Sequence, residues 1–400
     1  MTEAVIVATG RSPIGRANKG SLVECRPDDL SALVIKTVLG KLPQLDPSQV
    51  EDVIWGCGQP AGEAGYNIAR VASILAGLDA PGVTVNRYCS SSLQTIRMAA
   101  HAIKAGEGDV FVAGGVETVS RFMHGASDVG PHEPQFADAE ARTADRTAGG
   151  QPSWEPPAGL PDIYIAMGQT AENVREYKQV GRQRMDEFSV LSQERAVRSQ
   201  ENGFFEREII PVTLADGTVV NKDDGPRAGT TVEKLAELKP VFRPDGEITA
   251  GNACPLNDGA AAVVVMSDTR AAELGITPLA RVVASGVSAL NPEIMGLGPI
   301  EACRQAMKRA GMTIGDVDLV EINEAFAAQV IPSADELGIE WDKLNVNGGA
   351  IALGHPFGMT GARIMTTLLN GLEDSGKTIG MESMCVGGGQ GMAMIVERLS

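Results

Sequence analysis

The alternation of apolar and polar positions predicts short buried strands that lead into amphipathic helices. The first strand of the series is apolar and is preceded by a segment that contains aspartate. The second strand ends in valine-asparagine, and a turn of small residues connects it to a helix. The third strand lies next to a pair of glycines in the sequence. This series occurs twice along the chain, over residues 50–56, 82–93 and 108–120 and again over residues 317–326, 344–364 and 379–397. The repetition predicts an α/β fold built from two duplicated halves.

A different pattern separates the two halves. Residues 124–162 contain six prolines and little periodicity, which predicts a long irregular loop. Helical patterns follow over residues 167–178 and 184–203, the latter stopped by a glycine. We therefore predict an inserted domain between two halves, with an N-terminal half of residues 1–120 plus 249–270, an inserted domain of residues 121–248, and a C-terminal half of residues 271–400.

Composition narrows the possible classes of protein. The chain of 400 residues is 43% hydrophobic and only 4% aromatic, with 47 glycines, as expected for small, closely packed α/β elements. Its net charge of −17 and the lack of a basic stripe argue against a nucleic-acid partner. No apolar run reaches the roughly 18 residues that a bilayer-spanning helix needs. The sequence also opens without the pattern of a signal peptide, so we expect a cytoplasmic protein without a membrane partner.

Six cysteines without a C-x-x-C pair, and four scattered histidines, predict neither a zinc site nor a disulfide framework. Cys89 is distinctive because it lies where a predicted strand becomes a helix. The unpaired N–H groups and the dipole at a helix N-terminus favour a thiolate, so Cys89 is a candidate nucleophile. A buried structural cysteine is the alternative.

His355 lies in a glycine-rich turn that is the second half's counterpart of the Cys89 turn. If the halves pack about a pseudo-twofold axis, the two turns can face each other, and His355 can act as the base for Cys89. The alternative is a histidine that only caps a turn.

Two more polar residues follow predicted strands. Cys385 enters a loop with three consecutive glycines, residues 387–389, whose backbone N–H groups could meet a developing oxyanion. Its thiol is a candidate general acid/base or a small apolar filler. Asn323 either caps the helix that follows it or orients a water molecule or substrate carbonyl.

Eight segments carry a resemblance to a known family: NRYCSSSL, AGGVETVS, MGQTAENV, GNACPLNDGAAA, NPEIMGLGP, NEAFA, GHPFGMTGAR and CVGGGQG. They resemble the signature segments of the thiolase family, in family order and over essentially the whole chain. The resemblance implies a five-layered α/β/α/β/α arrangement of two similar halves, with an inserted loop domain that binds coenzyme A.

The resemblance also implies a reaction and its residues. A thiolase cleaves a 3-ketoacyl-CoA with coenzyme A into acetyl-CoA and a shortened acyl-CoA, through ping-pong chemistry on an acylated cysteine; the reverse is a Claisen condensation. Cys89 matches this nucleophile, and His355 matches the residue that activates it and points at the thioester oxygen. Cys385 matches the acid/base at the acetyl-CoA α-carbon, and Asn323 the residue that orders an oxyanion-hole water. The N–H groups of Cys89 and Gly387 match a second oxyanion hole.

Coenzyme A enters as a co-substrate, and the family pattern implies no permanently bound cofactor, no metal and a homo-oligomer, either dimer or tetramer. Arg227 matches the family arginine near the adenine end of coenzyme A. Cys254 and Pro255 replace the usual Ser-Gly beside the pantetheine arm, and Ala250 belongs to the same stretch. A thiol is a poorer hydrogen-bond partner than a hydroxyl, so we expect altered contacts there.

The resemblance places four residues in the acyl pocket: Ala166, Met167, Met295 and Phe326. Ala166 stands where short-chain acetoacetyl-CoA thiolases typically carry a histidine, which favours the degradative, broader-chain branch. A further departure is Ser92, at a position where a glycine often follows Cys-x-Ser. Its Cβ is expected to narrow the turn after the nucleophile.

Several alternatives remain open. A biosynthetic acetoacetyl-CoA thiolase shares the same fold, and only Ala166 argues against it. A decarboxylating ketosynthase usually lacks a counterpart of Cys385. A non-catalytic acyl-CoA-binding subunit has no need of two reactive thiols. The preferred acyl chain length is not predicted by any of these residues.

Overall fold

The computed structural model describes residues 2–400. Its strands are β1 (Ala4–Arg11), β2 (Gly15–Arg16), β3 (Asp52–Gly56), β4 (Gly82–Val85), β5 (Val110–Thr118), β6 (Val212–Thr213), β7 (Val219–Val220), β8 (Asn257–Ser267), β9 (Ala280–Ala289), β10 (Leu319–Ile322), β11 (Ile379–Val386) and β12 (Gln390–Arg398). Its α-helices are α1 (Pro27–Leu39), α2 (Ile68–Leu75), α3 (Ser91–Ala105), α4 (Ala137–Thr147), α5 (Met167–Lys178), α6 (Arg182–Glu201), α7 (Val232–Ala236), α8 (Asp268–Leu274), α9 (Gly298–Ala310), α10 (Ala327–Leu337), α11 (Ala350–Leu353) and α12 (Thr360–Ser375).

Nine strands form a continuous path in the order β10-β11-β12-β9-β1-β8-β5-β3-β4, and β2 pairs with β8 beside it. The first half contributes β4-β3-β5-β8-β1, and the second repeats this order as β10-β11-β12-β9. The halves join through only two antiparallel register pairs, Val5 with Arg281 and Ile6 with Ala280. The topology therefore agrees with the predicted duplication.

The counterpart of β4 in the second half is reduced to one parallel bridge between Val320 and Leu344. The prediction of a full strand there is wrong, and Asn345 explains why. Its φ of 48° interrupts an extended chain. Its side chain accepts the N–H of Ile322 and donates to the carbonyl of the same residue. These side-chain hydrogen bonds take the place of the backbone hydrogen bonds that a paired strand would make.

Five layers result from the packing of helices on the two half-sheets. Helices α1 and α2 cover the outer face of the first half-sheet, and α9 and α10 cover the outer face of the second. Helices α3 and α12 lie between the half-sheets, where Leu93 and Leu368 share a core with Ile6 of one half and Met384 of the other. This is the α/β/α/β/α arrangement that the sequence predicts.

The central helices approach closely because small residues face each other. A Cβ at Gly361 of α12 would lie 2.3 Å from the backbone nitrogen of Leu93 in α3. Ser92 adds a bond across the same contact, since its Oγ accepts the N–H of Ala362 at 2.9 Å. Besides any effect on the turn after Cys89, Ser92 thus connects α3, the helix that follows Cys89, to α12, the helix that follows His355, by a hydrogen bond.

Between the halves, α5 and α6 coincide with the two predicted helical patterns, and β6 and β7 form a separate two-stranded sheet. The prediction of an irregular loop over residues 124–162 is wrong in part, because α4 lies inside it. Ala139 is the only buried residue of α4, and all the apolar residues of this helix are alanines, so no row of large apolar side chains indicates it in the sequence. Within residues 2–400, no helix combines the length and apolarity that a bilayer crossing requires.

Candidate active site

Cys89 lies in a short 3₁₀ turn, Tyr88–Ser90, between β4 and α3. Ser91 stabilises this turn, because its hydroxyl accepts the N–H of Arg87 at 3.0 Å and donates to the carbonyl of Tyr88 at 2.7 Å. Tyr88 adopts a φ of 42°, a left-handed conformation that is costly for an aromatic residue. The sharp turn places the Cys89 thiol at the edge of the central layer, with 8% of the residue exposed.

Burial raises the pKa of Cys89 to about 11, and the N–H groups of Gly387 and Cys89 oppose this only in part. The negative charge of Glu117 raises the pKa further. The expectation that the helix terminus would favour a resting thiolate is therefore wrong, since desolvation outweighs the terminus. Cys89 needs a base before it can act as a nucleophile.

Gly387 is brought to Cys89 by the loop after β11. Its N–H and the N–H of Cys89 itself both act to lower the pKa of the Cys89 thiol, so both predicted oxyanion donors lie near this sulfur. A Cβ at Gly387 would meet the Tyr88 ring at 3.5 Å and the sulfur of Met167 at 3.8 Å. Tyr88, which sequence reasoning missed, therefore flanks these donors on one side.

His355 is buried, and its hydrogen bonds assign its tautomer. Thr360 donates its hydroxyl proton to the carbonyl of Pro356 at 2.8 Å, so its oxygen accepts from Nδ1–H of His355 at 2.6 Å. The lone pair of Nε2 then accepts a hydrogen bond from the side-chain amide of Asn323, whose Nδ2 lies at 3.2 Å. Burial and the Arg363 charge lower the pKa of His355 to about 3, so the ring rests as a neutral base.

The backbone of His355 is held from the first half of the chain. Asn257 of β8 accepts the N–H of His355 at 3.0 Å and donates to the carbonyl of Gly15 at 3.0 Å. Gly354 has a φ of 112°, and a Cβ there would lie 2.5 Å from the Asn257 amide. Sequence reasoning missed Asn257, although it lies within the GNACPLND segment.

Asn323 does not cap a helix, because α10 begins four residues later at Ala327. Its backbone N–H donates to the carbonyl of Ser383 at 2.9 Å, and its carbonyl accepts from Nε2 of Gln329 at 2.6 Å. Its side-chain Oδ1 is buried without a protein partner among residues 2–400. This oxygen can accept a hydrogen bond from a water molecule, as the predicted role requires.

Cys385 lies near Cys89, because the turn Tyr88–Ser90 packs against β11. Burial raises the pKa of Cys385, and the charges of Cys89 and Cys254 raise it further. Burial and the Cys89 charge likewise raise the pKa of Cys254. The N–H of Cys254 donates to the carbonyl of Ala325 at 3.0 Å, next to the Asn323 loop.

The predicted coenzyme A contacts lie on the surface. Arg227 is exposed, its backbone N–H donates to Oε1 of Gln193 at 2.8 Å, and no carboxylate of residues 2–400 lies within 4.0 Å of its guanidinium group. Ala250 is also exposed. A guanidinium group without an acidic partner is available to an anionic ligand.

The four predicted pocket residues divide into two pairs. Ala166 is exposed just before α5, and Met167 is half-buried near Gly387. Met295 and Phe326 are buried in the core behind the second half-sheet, and Phe326 packs edge-on against Phe242. The structure does not bring this second pair to an open surface, so their contact with an acyl chain stays a prediction.

The part of the chain that the structure describes contains no group of three His, Cys, Asp or Glu side chains arranged to hold a metal ion. The sequence-based prediction that no metal or permanent cofactor takes part stays a prediction.

Comparisons with known proteins agree over the whole chain. The model of the thiolase N-terminal domain matches residues 4–269, and that of the thiolase C-terminal domain matches residues 276–398. The chain is 43% identical to a beta-ketoadipyl-CoA thiolase of Acinetobacter baylyi and 43% identical to a 3-ketoacyl-CoA thiolase of Aeromonas hydrophila, with all of each protein covered.

A solved structure shows the same similarity at the level of the fold. The crystal structure of the Bacillus anthracis acetyl-CoA acetyltransferase superimposes with a TM-score of 0.85 at 39% identity, covering 100% of this chain and 99% of that one. Two family models over almost the entire length and full-length relatives above 40% identity lead to one assignment. The chain is a member of the thiolase family.

Proposed function

We propose that the protein is a degradative 3-ketoacyl-CoA thiolase, which uses coenzyme A to cleave a 3-ketoacyl-CoA into acetyl-CoA and a shortened acyl-CoA. The observation that carries the proposal is the packing of the Cys89 turn against β11, the strand that contains Cys385 and leads into the Gly387 loop. The relatives named beta-ketoadipyl-CoA thiolase and 3-ketoacyl-CoA thiolase support it.

The first half-reaction forms an acyl-enzyme. Cys89 attacks the C3 ketone carbon as its proton moves to Nε2 of His355, which is unprotonated in the resting tautomer. The N–H groups of Cys89 and Gly387 stabilise the C3 oxyanion. The C2–C3 bond then breaks, and its electron pair becomes an acetyl-CoA enolate that takes a proton from Cys385. His355 and a water molecule on Asn323 stabilise the enolate oxygen.

The second half-reaction releases the product. The thiol of an incoming coenzyme A loses its proton to the Cys385 thiolate, which restores the Cys385 thiol. The new thiolate attacks the acyl thioester on Cys89, and the same two N–H groups stabilise the tetrahedral oxyanion. The Cys89 thiolate leaves and recovers its proton from the imidazolium of His355, which restores the resting pair.

A biosynthetic acetoacetyl-CoA thiolase is the second candidate, and the similarity to an acetyl-CoA acetyltransferase structure favours it. The two candidates use the same catalytic groups and differ in the acyl chain that they accept. Ala166, which replaces the histidine of short-chain enzymes, supports the degradative candidate.

The proposal extends to coenzyme A and to assembly. We infer that residues 121–248 form the domain that binds coenzyme A, supported by the unpaired guanidinium group of Arg227. We also infer a homo-oligomer, because β4 pairs with β3 on one side only and Tyr66 nearby is 98% exposed. The cytoplasmic location stays a prediction.

The decisive experiment is coenzyme A-dependent thiolysis of 3-ketoacyl-CoAs of increasing chain length, with 3-oxoadipyl-CoA included. We expect medium and long substrates to react faster than acetoacetyl-CoA, and Cys89→Ala to be inactive. The matched control is Cys25→Ala, which removes a half-buried thiol outside the pocket and should retain activity. Turnover of acetoacetyl-CoA alone would support the biosynthetic candidate, and a folded protein that cleaves none of these substrates would refute both.

A further inference from the structure

One buried carboxylate joins the two halves of the chain behind the catalytic pair. Oε2 of Glu117 accepts the N–H of Gly58 at 2.8 Å and the N–H of Gly358 at 2.9 Å, and Oε1 accepts the N–H of Gln59 at 3.1 Å. The thiol of Cys57 lies 3.8 Å from Oε1. Within residues 2–400, no Lys, Arg or His nitrogen lies within 4.0 Å of this carboxylate.

The position of these bonds links them to His355. Glu117 lies near the end of β5, and Gly58 and Gln59 follow the neighbouring parallel strand β3. Gly358 comes three residues after His355 and belongs to the second half. Glu117 thus holds the histidine turn at Gly358, on the C-terminal side of His355. Asn257 holds the same turn at the N–H of His355 itself.

Close backbone contacts leave this turn no freedom to shift toward the first half. A Cβ at Gly358 would lie 2.2 Å from the carbonyl oxygen of Val116, and a Cβ at Gly58 would lie 3.1 Å from Cβ of Phe357. The turn therefore rests directly on the ends of β3 and β5. The bonds to Glu117 and Asn257 resist movement of the turn away from the first half.

The energetic cost of Glu117 supports a specific role. A buried carboxylate without a cation is expensive, and burial raises the pKa of Glu117 to about 7 against the opposing effect of the three N–H groups. Its charge also raises the pKa of Cys89, so it does not serve to activate the thiol directly. The contribution that remains for Glu117 is to hold the backbone of the His355 turn in position.

We propose that Glu117 is a positioning residue of the thiolase reaction, which holds the His355 turn against the half that carries Cys89. This inference rests on the proposed function. Displacement of a catalytic group by about 1 Å can cost about 10²-fold in rate. Loss of the Glu117 hydrogen bonds that hold the His355 turn is therefore expected to lower the rate of thiolysis strongly.

The test compares Glu117→Gln with Glu117→Ala and wild type. Gln keeps one acceptor oxygen but turns an amide N–H₂ toward backbone donors, and Ala removes all the bonds. We expect kcat for thiolysis to fall roughly 10–100-fold in Glu117→Gln and further in Glu117→Ala, with KM changed less than about threefold. The control is Glu208→Gln, a buried carboxylate paired with Arg11, which should lower stability but leave kcat unchanged.

A second measurement does not depend on activity. The chain has four histidines, so the Nδ1–H of His355 can be followed by NMR in protein with ¹⁵N-labelled histidine. We expect this signal to shift or exchange faster in Glu117→Gln and to be unchanged in Glu208→Gln. A folded Glu117→Gln protein with wild-type kcat and an unaltered His355 signal would overturn the proposal. Absent thiolysis in wild type would refute the proposed function, while the NMR result would still decide whether Glu117 holds the turn.

Discussion

Cys89 rests as a thiol and His355 as a neutral ring, since burial raises the pKa of the first to about 11 and lowers that of the second to about 3. The pair is therefore not a preformed thiolate and imidazolium. Proton transfer becomes favourable only when the substrate oxyanion forms at the N–H groups of Cys89 and Gly387. This arrangement keeps a buried thiol unreactive until a ketone is bound.

The raised pKa of Cys89 also predicts how the reactivity of this single residue depends on pH. Because the pKa of Cys89 is raised, the thiolate fraction grows about tenfold per pH unit up to a pH near that pKa. We expect the rate of Cys89 alkylation by iodoacetamide in substrate-free protein to rise continuously from pH 7 to about 10, as followed by mass spectrometry of the Cys89 peptide. A rate that levels off below pH 8 would show an ion pair at rest.

At the scale of elements, the contact between α3 and α12 sets the distance between the nucleophile's turn and the histidine's turn. Both helices begin just after a catalytic residue, and they meet where Gly361 faces Leu93. A side chain at this contact would push apart the two turns that must face each other.

We therefore expect Gly361→Ala to lower the free energy of unfolding by about 1–3 kcal/mol and to reduce kcat as well. Gly371→Ala in the same helix is the matched control, because its nearest neighbour would be the Asn347 side chain at 3.3 Å. Equilibrium urea unfolding and thiolysis measure both effects. Equal stability of the two variants would contradict the role of this contact.

The sequence predicts those elements whose burial follows a regular period. Helix α6 is an example, since Met185, Ser189, Ser192, Ala196 and Ser199 are buried at helical spacing, whereas α4 is not predicted because only Ala139 of it is buried. At the site, motifs identify Cys89 and His355. They do not reveal Asn257 or Glu117, whose hydrogen bonds reach residues 98 and 241 positions away along the chain. Such partners depend on the packing of two distant segments, which local patterns do not encode.

At the scale of the whole molecule, we propose that the exposed edge of the sheet is the surface through which the inferred homo-oligomer forms. Strand β4 lies at the end of the sheet with Val83 38% exposed, and Ile74 and Leu75 of the adjoining α2 are exposed as well. An apolar, unpaired edge strand favours pairing with a second copy. Because β4 leads directly into the Cys89 turn, such pairing would also stabilise the nucleophile.

We expect Val83→Lys to shift the protein from oligomer to monomer in sedimentation velocity, since a buried lysine at the paired edge is costly. Val219→Lys is the control, because Val219 is an exposed valine of the separate two-stranded sheet. A monomeric wild-type protein, or an unchanged assembly of Val83→Lys, would contradict this model of the interface.

The sheet order has a consequence for synthesis on the ribosome. Strand β8 separates β1 from β5 in the sheet, and it follows β5 in the chain by about the length of the inserted segment. The first half-sheet therefore cannot close until Ser267 has left the exit tunnel, although most of its residues emerge much earlier. During that interval β1 and β5 expose the edges that β8 later pairs, and an exposed strand edge favours aggregation.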